Sequence, residues 1–231
     1  MKRIFVLFLF LLTGCAAAAP ADVSAPTLPP APTYFVVLDF GHGGFDAGAM
    51  GVDTGVLETE LNLAIGEQVA EALIARGCMV LRTRTSADAI DDTKRLDMRR
   101  RGVLLNTEGA DCTVSIHMNK FSDRTVSGPM CYYQAGAVEG QILAQCVMDA
   151  LTDALERPSR LANPGNNYVT RIPAAPAVLV ECGFLSNAQD EQLLQDAAYQ
   201  AKLANAIAEG VLSYLQGDAT PAPSVSPAPP V

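Results

Sequence analysis

Four side chains carry the chemistry legible in this sequence: His42, Glu58, His117 and Glu181. The chain has 231 residues and two histidines. One follows the apolar run Tyr34-Phe-Val-Val-Leu-Asp-Phe-Gly41, the other the run Cys112-Thr-Val-Ser-Ile116. Glu58 opens a helical stretch, and Glu181 ends the run Val178-Leu-Val. Two imidazoles and one carboxylate make a common catalytic zinc set, with a fourth position left for water. A second carboxylate could then take a proton from that water and pass it to a leaving group. Burying a carboxylate such as Glu181 in an apolar run is costly unless it has a function there. Glu58 could merely favour the dipole at a helix start, and Glu60 rivals it for the ligand position.

These residues are useful only if elements bring them together. Short apolar, β-branched runs read as buried strands, and open α/β sheets bind ligands at the carboxyl ends of their strands. The pattern predicts strands at Tyr34–Asp39, Cys78–Thr83, Cys112–His117, Pro129–Tyr133 and Val178–Glu181. Helices are predicted over Glu58–Arg76, from Lys94 to about Glu108, and over Ala137–Leu155. Leu61, Ile65, Val69 and Leu73 share one face of the first helix, which Gly77 ends. In the second, Lys94, Arg95, Arg99, Arg100 and Arg101 read most simply as a solvated face. Asn187 caps a final helix, with Asp190 and Glu191 favouring the dipole in its first turn and Leu203, Ile207, Val211 and Leu215 forming its buried stripe. The alternation implies an α/β fold: one domain, a mostly parallel sheet of about six strands, and helices on both faces. Glycines around His42 allow a sharp turn and a close approach of substrate.

Composition sets the boundaries. The net charge of −9, more negative still without Lys2 and Arg3, disfavours nucleic acid. Residues 1–14 read as a lipoprotein signal: Lys2 and Arg3, then an apolar run from Ile4 to Leu12 too short to span a bilayer, then Leu12-Thr-Gly-Cys15. Cys15 is the expected lipidation site, with cleavage inside Ala16–Ala19 as the alternative. Residues 15–33 form a Pro/Ala-rich spacer, 34–217 the folded domain and 218–231 a Pro-rich tail expected to be disordered. The protein is thus expected outside the cytoplasm, lipid-anchored on the outer face of the membrane, and monomeric. Of six cysteines, Cys78, Cys112, Cys131, Cys146 and Cys182 remain if Cys15 is lipidated. They read as small buried hydrophobes, with one disulfide, Cys78–Cys112 on neighbouring strands, allowed by that compartment.

Four motifs carry a resemblance: Val37-Leu-Asp-Phe-Gly-His-Gly-Gly44, Gly55-Val-Leu-Glu58, Ser115-Ile-His-Met-Asn119, and Val178-Leu-Val-Glu-Cys-Gly-Phe-Leu-Ser-Asn187. In this order the chain resembles the zinc-dependent N-acetylmuramoyl-L-alanine amidases of the Amidase_3 family. Tyr132–Tyr133 and the compact spacing are most similar to the branch acting on spore cortex. The resemblance implies one zinc ion held by His42, Glu58 and His117, Glu181 as the catalytic glutamate, and peptidoglycan as substrate. The bond cut would join the lactyl group of N-acetylmuramic acid to L-alanine of the stem peptide. Phe40 departs from the family, where proline or alanine is more usual. The stretch from Asn119 to Gly165 leaves little room for the autoinhibitory helix that some members insert. Asn119 and Arg171 are candidate substrate contacts, although Arg171 reads equally well as a surface charge. Other readings are a zinc carboxypeptidase or endopeptidase acting within the stem, a noncatalytic wall-binding lipoprotein and, more distantly, a glycosidase using Glu58 and Glu181.

Overall fold

The computed structural model describes residues 33–157 and 160–218. The expected export signal with Cys15, most of the expected spacer, and the expected tail from 219 onward lie outside the described residues. The chain runs β1 (Tyr34–Phe40), α1 (Glu58–Ala75), β2 (Cys78–Arg82), α2 (Lys94–Leu105), β3 (Cys112–Asn119), β4 (Met130–Gln134), α3 (Val138–Ala154), β5 (Asn163–Gly165), α4 (Tyr168–Arg171), β6 (Ala177–Phe184), α5 (Ala188–Leu194) and α6 (Ala197–Gln216). Six strands form one sheet in the order β2-β1-β3-β6-β4-β5. The pairs β1–β2, β1–β3, β3–β6 and β4–β5 are parallel, and β4 runs antiparallel to β6. The α/β fold with a six-stranded, mostly parallel sheet and helices on both faces is therefore as the alternation implies.

Period-2 alternation separates the two faces. Val36, Leu38, Phe40, Val114, Ile116, Val180 and Cys182 turn to the larger core. There they meet Ile65 and Val69 of α1, Val147 and Leu151 of α3, and Ile207 and Val211 of α6. The opposite face is thinly covered: among the described residues, Val37, Leu105, Val169 and Leu179 form its buried cluster, under α2 and α4. On that face Asp39 and Ser115 are buried. The site is built here, where the sheet is polar. Phe40 is accommodated from the other side. Its ring lies over Gly66 of α1, where a Cβ would overlap it, so the helix accepts about 1 kcal/mol of lost propensity to seat the ring.

Five expectations change. Arg101 is not part of a solvated face: Lys94, Arg95, Arg99 and Arg100 are exposed, but Arg101 is 2% exposed because α2 turns it toward Asp39. Cys78 and Cys112 are not on neighbouring strands, since β1 runs between β2 and β3; all five described cysteines are free. The final helix is two. Asn187 caps α5, accepting from the N–H groups of Gln189 and Asp190, and Asp196 starts α6 afresh by accepting from Tyr199 N–H at 2.8 Å. Asp190 and Glu191 are buried acceptors as well as dipole partners. Asp190 accepts from Gly128 and Phe184 N–H; Glu191 accepts from Asp53 and Thr54 and so pins the β1–α1 loop to α5. Finally, α2 stops at Leu105, where Asn106 and Thr107 turn their side chains back onto the carbonyls of Gly102 and Leu104. The three-residue β5 and four-residue α4 are additional elements, too short to leave a periodic signal.

Candidate active site

Each candidate ligand is delivered by a local break in regular structure. At the end of β1, His42 adopts φ 63°, a left-handed conformation uncommon for a residue with a Cβ. Gly43 and Asp46 then exchange backbone hydrogen bonds at 3.0 and 2.9 Å, folding the loop back on itself. That loop returns to Glu58, the first residue of α1, whose N–H donates to the Ala49 carbonyl at 2.9 Å. His117 lies near the end of β3, where the pairing with β6 shifts register between His117 and Asn119.

The donor atoms of His42, Glu58 and His117 all lie within 4.8 Å of one another. Glu58 Oε1 is 3.1 Å from His42 Nε2 and 2.8 Å from His117 Nδ1. Met118 N–H donates to the same oxygen at 3.2 Å, and Ala49 N–H to Oε2 at 2.7 Å. The imidazoles meet edge to face, with centroids 5.0 Å apart. Glycine is needed here for space: a Cβ on Gly41 would overlap the His117 ring, and one on Gly48 would strike Glu58 and His42. Glu60, the rival carboxylate, is exposed and outside the cluster.

Electrostatics separates the two glutamates. Burial alone would raise the Glu58 carboxyl, but the two imidazoles outweigh it and hold Glu58 well below the usual carboxylate range. Burial would likewise depress His42; the carboxylates of Glu58 and Asp46 overcome it and push the imidazole up. Glu181 stands opposite His117 in the parallel pairing of β3 and β6. Burial pushes its carboxyl up to about 7, with Glu58 adding to the rise and His117 and His42 opposing it. Its Oε2 is enclosed and has no hydrogen-bond partner among the described residues. Cys182 faces the opposite core.

This donor set fits a zinc ion. It offers two imidazoles and an ionised carboxylate, packed so closely that only their mutual attraction or a cation could hold them. Sequence reasoning missed the support around it. Asp46 Oδ2 lies 3.0 Å from His42 Nδ1, as expected of a carboxylate orienting a metal-binding imidazole, and Lys94 approaches the same oxygen at 3.2 Å. An acid four residues after a histidine in a glycine-rich loop was the available signal. Asn62 Nδ2 donates to the Gly41 carbonyl at 3.0 Å. A cavity of about 250 Å³ beside the cluster is bordered by Gly41, His42, Asp46, His117, Tyr168 and Leu179 among others. Asn119 and Arg171 do not line it. Asn119 Oδ1 accepts from Lys120 N–H, and the exposed Arg171 donates to Asn166. A larger groove, about 1120 Å³, runs between α3 and α6 and contains none of the four chemical residues.

Residues 36–213 match the family model described as N-acetylmuramoyl-L-alanine amidase. The chain belongs to the Amidase_3 family. It is 32% identical over 188 residues to the germination-specific N-acetylmuramoyl-L-alanine amidase of Bacillus subtilis, covering 78% of each chain. Identity to the amidase AmiA of Escherichia coli is 31% over 224 residues, covering 78% of this chain and 75% of that one. Among solved structures, the CwlD amidase of Clostridioides difficile, determined in complex with the GerS lipoprotein, superimposes with a TM-score of 0.76 at 31% identity, covering 80% of this chain and all of that one. A second amidase, from Clostridium difficile 630, gives a TM-score of 0.74 at 34% identity, covering 80% and 98%. This Amidase_3 member is thus a peptidoglycan amidase of the spore germination type.

Proposed function

We propose that the chain is a zinc-dependent N-acetylmuramoyl-L-alanine amidase in which His42, Glu58 and His117 hold one ion and Glu181 is the general base. The observation that carries this reading is the convergence of three donor atoms within 4.8 Å, two from strand ends and one from the first residue of α1. When bound there, zinc supplies Lewis acidity that polarises an amide carbonyl and acidifies water. Glu181, raised to about 7, suits a general base, since it can accept a proton from the attacking water at neutral pH and return it. Oxygen adds to the carbonyl carbon, the C–N bond breaks, and the proton goes to the departing L-alanine nitrogen. Glu58 cannot share that work, because two imidazoles hold it ionised. Asp46 Oδ2 stands 3.0 Å from His42 Nδ1 without completing a hydrogen bond, on the side away from Nε2, which faces Glu58 Oε1 and would hold the metal.

Mass spectrometry of digested peptidoglycan tests the bond. Free stems beginning with L-alanine, together with glycan bearing intact lactyl groups, are expected, and metal analysis should give one zinc per chain. Shortened stems still attached to glycan would establish the peptidase reading instead; no zinc, or full activity without it, would remove the metal reading.

Export and attachment through Cys15 belong to the same proposal, supported by the leader composition and by relatives that act on the cell wall. The wild-type protein is expected in the membrane fraction and a Cys15→Ala variant in the soluble fraction, the folded unit being a monomer. Equal partitioning of the two would exclude a lipid anchor at Cys15.

A further inference from the structure

The turn that presents His42 is held by two buried guanidinium groups. Arg101 and Arg84 are 2% and 6% exposed. Arg101 Nη1 donates to the Phe40 carbonyl at 2.9 Å and Nη2 to the His42 carbonyl at 3.0 Å. Arg84 Nε donates to the Phe40 carbonyl at 2.9 Å, and Nη2 to the carbonyls of Gly41 at 3.1 Å and Thr59 at 2.8 Å. Three successive carbonyls at the end of β1 are thus gripped from the α2 side and from the segment after β2.

The arrangement has a cost. Buried cations are expensive to desolvate, and both stand near a site meant for a dication. Their charge is answered by Asp39, which pairs with Arg101 and also accepts from Thr83 Oγ1 at 2.9 Å and Ser115 Oγ at 2.6 Å. Asp97 Oδ1 adds a second carboxylate at 3.2 Å from Arg101. A network this enclosed is retained for what it orders. What it orders is the left-handed φ of His42, 63°, a conformation that persists in a residue with a Cβ only where its surroundings impose it. Only a planar fork can reach Asp39, Asp97 and two carbonyls together.

We infer that Arg101, assisted by Arg84, is a positioning residue that fixes the turn at His42 and so sets its imidazole against Glu58 and His117 before an ion arrives. The inference rests on the zinc reading above. Zinc affinity of the full-length chain, measured by competition with a chromophoric chelator, tests it on wild type, Arg101→Lys, Arg84→Lys and Leu105→Ala. Leu105 is fully buried on the same helix and packs with Val37, Val169 and Leu179, so its truncation lowers stability through lost packing and removes none of the bonds to the three carbonyls. Arg101→Lys keeps the charge beside Asp39 and loses the fork; its zinc dissociation constant should rise about 10–100-fold, as for the loss of other partners that orient a ligand. Leu105→Ala should melt lower yet stay within about twofold of wild type. Unchanged affinity in Arg101→Lys, or an equal loss in Leu105→Ala, overturns the inference. If Arg101→Lys does not fold, Arg84→Lys decides by the same criterion. A wild-type chain that takes up no zinc removes the metal reading itself, and this inference with it.

Discussion

Glu181→Gln is expected to bind zinc like the wild type, to lose amidase turnover by on the order of 10²–10⁴-fold, and to change how the metal-free protein responds to pH. The first two outcomes follow from the proposed division of labour, in which the amide keeps the shape of the side chain and cannot take the proton. The third follows from burial. A carboxyl that titrates near 7 in the folded chain and near 4.5 when unfolded holds its proton more tightly when folded. Below about pH 4.5 both states are protonated and folding is not penalised. As pH rises from there through about 7, the unfolded state ionises first and stability is lost. The loss is complete above 7 and amounts to about 3 kcal/mol. Glutamine does not titrate, so the stability of the variant relative to wild type should improve by about 3 kcal/mol between pH 4 and pH 8. In a domain of this size that is about 6–12 °C in melting temperature. Any constant penalty for burying the amide cancels in that difference. Parallel pH profiles of the two metal-free proteins would show that Glu181 is not held neutral by its surroundings, and loss of zinc in the variant would make it a ligand.

The residues proposed to do chemistry were more legible than those that hold them in place. His42, His117 and Glu181 stand at the ends of apolar runs, and parallel strands bring such ends to one edge whatever the loops between them. Arg101 was not legible. It sits in Arg99-Arg100-Arg101, and which of the three turns inward depends on the rotation of α2 against the sheet, a tertiary fact. Yet Asp39 in Tyr34–Phe40 is, like Glu181, a carboxylate inside an apolar strand. Its burial demands a buried cation and points to the arginine run. The Cys78–Cys112 pairing failed for a topological reason: consecutive strands in the chain need not be neighbours, and β1 lies in the middle of its side of the sheet. The break between α5 and α6 was written locally, in Asp196, but the i+4 stripe beyond it made one long helix the simpler reading.

The second large effect belongs to Glu58. Glu58→Gln should abolish stoichiometric zinc binding, whereas Glu60→Gln, two residues along the same helix but exposed, should keep it. The reason lies in what the carboxylate does before metal arrives. Its Oε1 sits between His42 Nε2 and His117 Nδ1, and as an anion it draws both rings into the geometry an ion requires. A neutral amide offers no such attraction, and its NH₂ group would face a ring nitrogen or the cation. The loss should therefore exceed the about 10–100-fold typical of removing an orienting partner. Acid titration of the metal-free proteins gives a second readout. Because Glu58 is depressed when folded, it contributes stability above its unfolded value near 4.5, lost as pH falls below that toward its folded value. His42, raised when folded, contributes stability that is full below its unfolded value near 6.5 and lost as pH rises through its higher folded value. Their attraction is thus strongest between roughly pH 4.5 and 6.5, and zinc must displace the His42 proton to bind there. Wild-type affinity for zinc should fall as pH drops through that window. The Glu58→Gln protein should lose the stability maximum that the metal-free wild type shows across it. Full zinc retention in Glu58→Gln, with loss in Glu60→Gln, would transfer the ligand role to the neighbouring carboxylate.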